Sequence, residues 1–102
     1  MGRLSKEGSK KRELAVLSYI LRNGVQHRML ETSYLSFGKA LGLAHEQIRS
    51  SCYRLQKKEC IIIVPQFNSN GGQRENAFVI TDTGINYVKR LASEYVDFAP
   101  AE

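Results

Sequence analysis

Leu43–Ile61, LAHEQIRSSCYRLQKKECI, is the stretch on which the reading of this chain turns. At about 3.6 residues per helical turn it splits into two unlike faces. Ile48, Cys52 and Leu55 recur at i, i+4 and i+7 and form one apolar stripe. Glu46, Ser50, Tyr53 and Lys57 lie opposite, flanked by Arg49 and Arg54. A helix of this kind buries one side and offers arginine, tyrosine, serine and lysine on the other, a surface able to lie along a polyanion. Taken alone, the stretch is better explained as an ordinary amphipathic helix with a solvated polar face. Its neighbours in the sequence change that balance.

Immediately upstream, Ser33 is placed to cap a short helix with Tyr34, Phe37, Gly38 and Leu41 on one face and Gly42 at its end. FGKALGL followed at once by another helix is a helix–turn–helix layout, with Leu43 and Ala44 as the turn. Gly38 is small so that a neighbouring helix can approach. His45 stands at the start of the third helix, where a side chain reaches a base edge or a phosphate. Earlier still, Val25–Ser33 (VQHRMLETS) has no clear period. It reads as a connection, with at most a short strand around Arg28–Leu30, and His27 reads as solvated or locally hydrogen-bonded. Leu14, Leu17, Ile20 and Leu21 mark a first helix from Lys10, with Ser9 as its cap and Asn23-Gly24 as its stop. The preceding residues 1–11 read as a flexible basic arm.

Downstream, IIIVPQF is a β-branched run interrupted by Pro65, which suits an edge strand. NSNGGQREN supplies turn chemistry, and AFVIT returns, so the pair reads as a β-hairpin with Gln73 and Arg74 near its tip. Thr81 is a cap and Asp82 a first-turn acid for a final helix over 82–98. That helix carries Ile85, Val88, Leu91, Ala92 and Tyr95 on one broad face.

The chain has 102 residues, enough for one core, and ordinary globular proportions of 42% hydrophobic and 25% charged residues. Its net charge of +5 is unevenly distributed: residues 1–58 sum to +8 and residues 59–102 to −3. An anionic partner would meet the basic half. If Cys52 and Cys60 lie near one helix they sit about 12 Å apart along its axis, too far for a disulfide, so two reduced, packed thiols are expected. No apolar run reaches the length of a membrane span and no signal-peptide core opens the chain, so a soluble cytoplasmic protein is expected. Phosphate loops, a serine elbow, HExxH and a zinc-type Cys/His spacing are all missing, and the acids are scattered singly. No enzyme, metal or cofactor is expected.

The order helix, helix, turn, helix, hairpin, helix resembles a winged helix–turn–helix domain of small bacterial and archaeal transcription regulators. FGKALGL-AHEQIRSSCYRLQKKECI resembles the second helix, turn and recognition helix of that family. Its ending, Leu55-Gln56-Lys57-Lys58-Glu59-Cys60-Ile61, is similar to the family's Leu-x-x-x-Gly-Leu-Ile. Ile80-Thr81-Asp82-Thr83-Gly84 is similar to the Leu-Thr-x-x-Gly of multiple-antibiotic-resistance-type regulators. Glu59 departs from the glycine usual there, which points to a longer or differently closed helix end. The chain is also shorter than most such regulators and has no obvious effector-binding domain, and the sequence names no small-molecule effector.

The resemblance implies an α+β winged helix–turn–helix fold over 12–98: a three-helix core, a two-stranded hairpin wing from Ile61 to Ile80, and a C-terminal helix. It implies sequence-specific binding of double-stranded DNA by a small transcriptional regulator. Arg49, Ser50, Tyr53 and Arg54 would read bases, with His45, Glu46 and Gln47 at the helix start. Lys57 and Lys58 would meet phosphates, and Arg74 the backbone or minor groove. A protein-interaction winged helix and an RNA-binding one remain alternatives. A homodimer through the C-terminal helix is expected from Leu91, Ala92, Tyr95 and Phe98, which continue an apolar face beyond Ile85 and Val88. The competing arrangement folds them back onto the first helix, where Val16 and Tyr19 lie off the main stripe.

Overall fold

The computed structural model describes residues 6–72 and 75–94. The elements in chain order are α1 (Lys6–Asn23), β1 (Met29–Thr32), α2 (Tyr34–Leu41), α3 (His45–Lys57), β2 (Ile61–Val64), β3 (Asn76–Ile80) and α4 (Asp82–Glu94). Helix α1 begins at Lys6, so part of the stretch read as an arm is helical. It ends at Asn23, where the Gly24 N–H donates to the Ile20 carbonyl at 2.7 Å.

The expected helix–turn–helix is present, and its closures are local. Ser33 Oγ accepts from the Ser36 N–H at 3.1 Å and caps α2. Gly42, at φ 70°, ends α2, and the Leu43 N–H donates back to the Gly38 carbonyl at 2.8 Å. Gly38 is small chiefly because of this turn: a Cβ there would lie 2.6 Å from the Leu43 carbonyl oxygen. Helix α3 then buries Ile48, Cys52 and Leu55 completely, together with Ser51.

Glu59 does not lengthen α3. It adopts the left-handed conformation itself, at φ 64°. The Glu59 N–H donates to Gln56 O and the Cys60 N–H to Leu55 O, both at 2.9 Å, the paired closure usually built on glycine. Buried Cys60 and Leu55 provide the apolar pair that accompanies it.

The sheet has three strands, not two, in the order β1-β3-β2, with both pairings antiparallel. Central β3 pairs Phe78 with Leu30 on one side and with Ile63 on the other. The short strand read around Arg28–Leu30 is present as β1, Met29–Thr32, reached through Gln26 and His27, both left-handed at φ 54° and 61°. His27 Nδ1 donates to the Leu21 carbonyl at 2.9 Å and helps to hold that turn. Strand β2 stops at Val64, directly before Pro65, and the Asn68–Gly72 turn follows, with Gly71 at φ 90°.

The core lies between the helices and one face of the sheet, around Val16, Leu17, Ile20, Phe37, Leu55, Phe78 and Leu91. Phe37 and Phe78 meet edge to face at 5.2 Å, and Tyr19 joins Phe37 at 5.5 Å. Val16 and Tyr19, off the main stripe of α1, are recruited because α1 is flanked by α3 and α4. Helix α4 starts on the Thr81 cap, whose Oγ1 accepts from the Gly84 N–H at 3.0 Å. Its buried line is Gly84, Tyr87 and Leu91. Leu91 therefore belongs to the protein's own core and not to an open dimer face. Ala92 is exposed, and Tyr95 and Phe98 lie outside the described residues.

Candidate nucleic-acid interface

Because Ile48, Cys52 and Leu55 face inward, the helical period turns His45, Glu46, Arg49, Ser50, Tyr53 and Lys57 to solvent. Six of the ten candidate residues thus share one exposed surface of α3. Arg49 lies over the Tyr53 ring, 5.3 Å from its centroid, and Nη2 approaches the phenol oxygen at 3.5 Å. That packing extends the guanidinium along the helix surface and limits the rotamers it must give up on binding.

The other four candidates divide. Gln47 Oε1 accepts from the Ala44 N–H at 2.9 Å, which closes the first turn in place of the side-chain cap that Ala44 lacks. Gln47 is therefore engaged in holding the helix start. Arg54 and Lys58 are turned away from the Arg49 surface toward α1 and α4. Arg54 Nε donates to Glu13 Oε2 at 3.2 Å, and Lys58 Nζ to Glu13 Oε1 at 3.0 Å. Arg74 lies outside the described residues.

Glu13 is the polar centre that sequence reasoning missed. Its carboxylate is buried at 1% exposure and also accepts from the Tyr87 hydroxyl at 2.8 Å, so it joins α1, α3 and α4. Burial alone would push this carboxyl up. The hydrogen bonds from Lys58, Tyr87 and Arg54 outweigh it and hold the group below the ordinary carboxylate range. A signal was present: Glu13 is in phase with Val16, Leu17 and Ile20 at i, i+3, i+4 and i+7, so it stands on a buried line of α1.

Two residues outside the candidate set complete the exposed surface. Tyr34, at the start of α2, packs its ring against His45 at 5.7 Å and against Phe78 at 5.6 Å, so a core aromatic supports the beginning of α3. Burial is the main cause pushing its phenol up to about 12, so it remains neutral and a hydrogen-bond donor. Gln56 Oε1 accepts from the Ile63 N–H at 2.8 Å and ties α3 to the outer edge of β2. Between them opens a concavity of about 390 Å³, lined on the helix side by His45, Arg49 and Tyr53 and on the hairpin side by Ile63, Pro65 and Asn76. A helix surface and a hairpin thus flank one open groove, with Arg49 at its wall.

Among the described residues no group of three His, Cys, Asp or Glu side chains is placed to hold a metal. No helix among them is long and apolar enough to cross a membrane. Cys52 and Cys60 are free buried thiols, and burial pushes the Cys52 thiol up to about 12.

No protein-family model matches the sequence, and no curated protein matches it. Solved structures do. A transcriptional regulator homologue from Pyrococcus horikoshii OT3 is 19% identical with a TM-score of 0.65, covering 89% of this chain and 81% of that one. A PadR-like transcriptional regulator from Bacillus cereus is 18% identical with a TM-score of 0.66, over 92% and 89% of the two chains. A MepR variant from S. aureus, bound to an oligodeoxyribonucleotide, is 17% identical with a TM-score of 0.58, over 88% and 58%. These likenesses are of shape at low identity. The chain has the winged-helix fold shared with these regulators, an α+β arrangement with four helices and a three-stranded antiparallel sheet among the described residues.

Proposed function

We propose that the protein binds double-stranded DNA sequence-specifically and acts as a small, non-catalytic transcriptional regulator. The observation that carries this reading is the exposed α3 surface, with Arg49 packed on Tyr53 beside a groove walled by the hairpin. The oligodeoxyribonucleotide bound by the MepR variant adds support from a protein of the same fold. In this reading α3 enters the major groove, Arg49 reads a base edge, and Lys57 neutralises a phosphate. His45, Glu46 and Ser50 line the approach, and Arg74 reaches the flanking backbone. Arg54, Lys58 and Gln47 act indirectly, by holding α3 in place.

The test is a titration of a selected duplex, random duplex, single-stranded DNA and RNA at two salt concentrations. Arg49→Ala should cost about 1–3 kcal/mol on the selected duplex and less on random duplex. Lys57→Ala should weaken all duplexes alike and reduce the salt slope by about one. Preference for single-stranded RNA would favour the alternative in which Tyr34, His45 and Tyr53 receive an unpaired base. No salt-sensitive nucleic-acid binding at all would favour a protein-interaction module.

The proposal includes a homodimer paired through the end of the C-terminal helix, where Ala92 is exposed and the sequence continues with Tyr95 and Phe98. Sedimentation across a concentration series checks it, and a wild type still monomeric at high micromolar concentration would remove the dimer.

A further inference from the structure

Leu30, Phe78 and Ile63 turn one face of the sheet toward the core. On the other face the pairings set Met29, Val79 and Ile62 in one row, and the Val25–Met29 bridge extends that row by one residue. The next row is Glu31, Ala77 and Val64. Six of these seven positions are apolar. An antiparallel sheet with one wet face alternates polar residues outward, whereas a strand buried on both sides reads as a continuous apolar run, as IIIV of β2 does. Yet Val25 keeps 65% of its surface in water, Ile62 51%, and Met29 and Val64 37% each. Together these four expose roughly 300 Å² of apolar side chain. Phe67, 60% exposed and three residues beyond Val64 on the same arm of the hairpin, brings the total to roughly 400 Å².

We propose that a second copy of the chain covers this outer face of the sheet. The area fits: each partner in a standard interface contributes about 800 Å², a little over half of it apolar, and the outer face supplies most of that apolar share. The charge fits as well. Glu31 is the one charged position in the two rows, so no complementary charge calls for an unlike partner. A twofold axis along β3 sets Met29 against Ile62 of the second copy and Val79 against Val79, and it keeps the two Glu31 carboxylates on opposite sides of the interface. The contact is face to face and not strand addition. The Ile63 N–H is taken by Gln56, Pro65 has no N–H to offer, and Val25 lies along the start of β1. Helices α1, α3 and α4 pack on the opposite side of the sheet. This pairing is therefore separate from one through the C-terminal helix, and it does not presuppose nucleic-acid binding.

The experiment uses the full chain, 15N-labelled, followed by amide spectra and by sedimentation from low micromolar to millimolar concentration. Saturable, concentration-dependent shifts of the Val25, Met29, Ile62, Val64 and Val79 amides are expected, in step with a rising sedimentation coefficient. Ile62→Lys should weaken this association at least tenfold while the amide spectrum stays dispersed, because the new ammonium stands on a half-exposed position. Met29→Lys, on the facing row of the second copy, should do the same and carries the comparison if Ile62→Lys fails to fold. Ala92→Glu should leave the shifts of the sheet amides in place, so the loss of pairing through the C-terminal helix reads separately from the loss of this face. Sheet amides that stay fixed up to millimolar concentration would overturn the proposal and leave the face to an unlike partner. Undiminished association in a folded Ile62→Lys or Met29→Lys variant would overturn it too.

Discussion

Replacing Glu13 tests whether the three helices depend on the buried carboxylate that joins them. Glu13 is almost fully enclosed, whereas the Arg54 and Lys58 side chains keep 38% and 45% of their surface in water. Removing the anion therefore leaves two cations that can turn outward and rehydrate, and strands only the Tyr87 hydroxyl. Removing the cations leaves the carboxylate with the Tyr87 hydroxyl as its one remaining donor among Arg54, Lys58 and Tyr87. Breaking a buried pair costs about 3–5 kcal/mol. We expect Glu13→Ala to fall at or below the lower end of that range, about 2–3 kcal/mol after rehydration of the partners. The Arg54→Ala, Lys58→Ala double variant should reach the upper end, about 4–5 kcal/mol. Against a total of about 5–15 kcal/mol for a domain of this kind, either loss is large.

Urea denaturation at neutral pH measures both, and the pH dependence supplies a signature. The folded carboxyl lies below its ordinary range, so its stabilisation is complete above the unfolded value of about 4.3. It is lost as pH falls through the folded value, because the unfolded chain takes up the proton first. Glu13→Gln should flatten that acid limb. A Glu13→Ala loss under about 1 kcal/mol, or an unchanged acid limb in Glu13→Gln, would refute the reasoning.

Other outcomes follow from single contacts. Gly84→Ala would drive a methyl into the Cys60 carbonyl oxygen and should lower stability by about 2 kcal/mol or more, read as a drop in Tm. Glu59→Gly should raise stability by about 0.5–1 kcal/mol, since it relieves a left-handed non-glycine residue, and urea midpoints will show the sign. Cys52, fully buried with its thiol pushed up to about 12, should resist alkylation at pH 8 until urea unfolds the protein, which mass spectrometry can follow.

Legibility in the sequence followed how local each cause is. The α3 stripe was readable because Ile48, Cys52 and Leu55 keep the helical period, and Ser33, Gly42 and Thr81 act on their own turns. Strand β1 was legible only as a short stretch around Arg28–Leu30, because its residues MLET alternate in exposure but not in residue type and its turn uses Gln26 and His27 in place of glycine. Arg49 and Arg54 looked equivalent on a helical wheel. What separates them is Glu13, forty-one residues from Arg54 in the chain, and a distance of that kind has no period. The rotation of the α4 stripe toward Tyr87 has the same origin. Tyr34 was read as part of the apolar face of its helix and not of the site, because its value there lies in touching His45 and Phe78 at once.

The Gln56–Ile63 hydrogen bond has a mechanical consequence. It fastens the first hairpin strand to the rear of α3, so the two walls of the groove behave as jaws set at a fixed gap. The entropy of aligning them is spent when the chain folds, before any guest arrives. A guest that does not fit must itself bend, narrow or widen to enter, and the energetic difference between guests then resides in their own stiffness as much as in the contacts they make. Gln56→Ala would free the jaw, and such a groove should accept more guests while discriminating less among them.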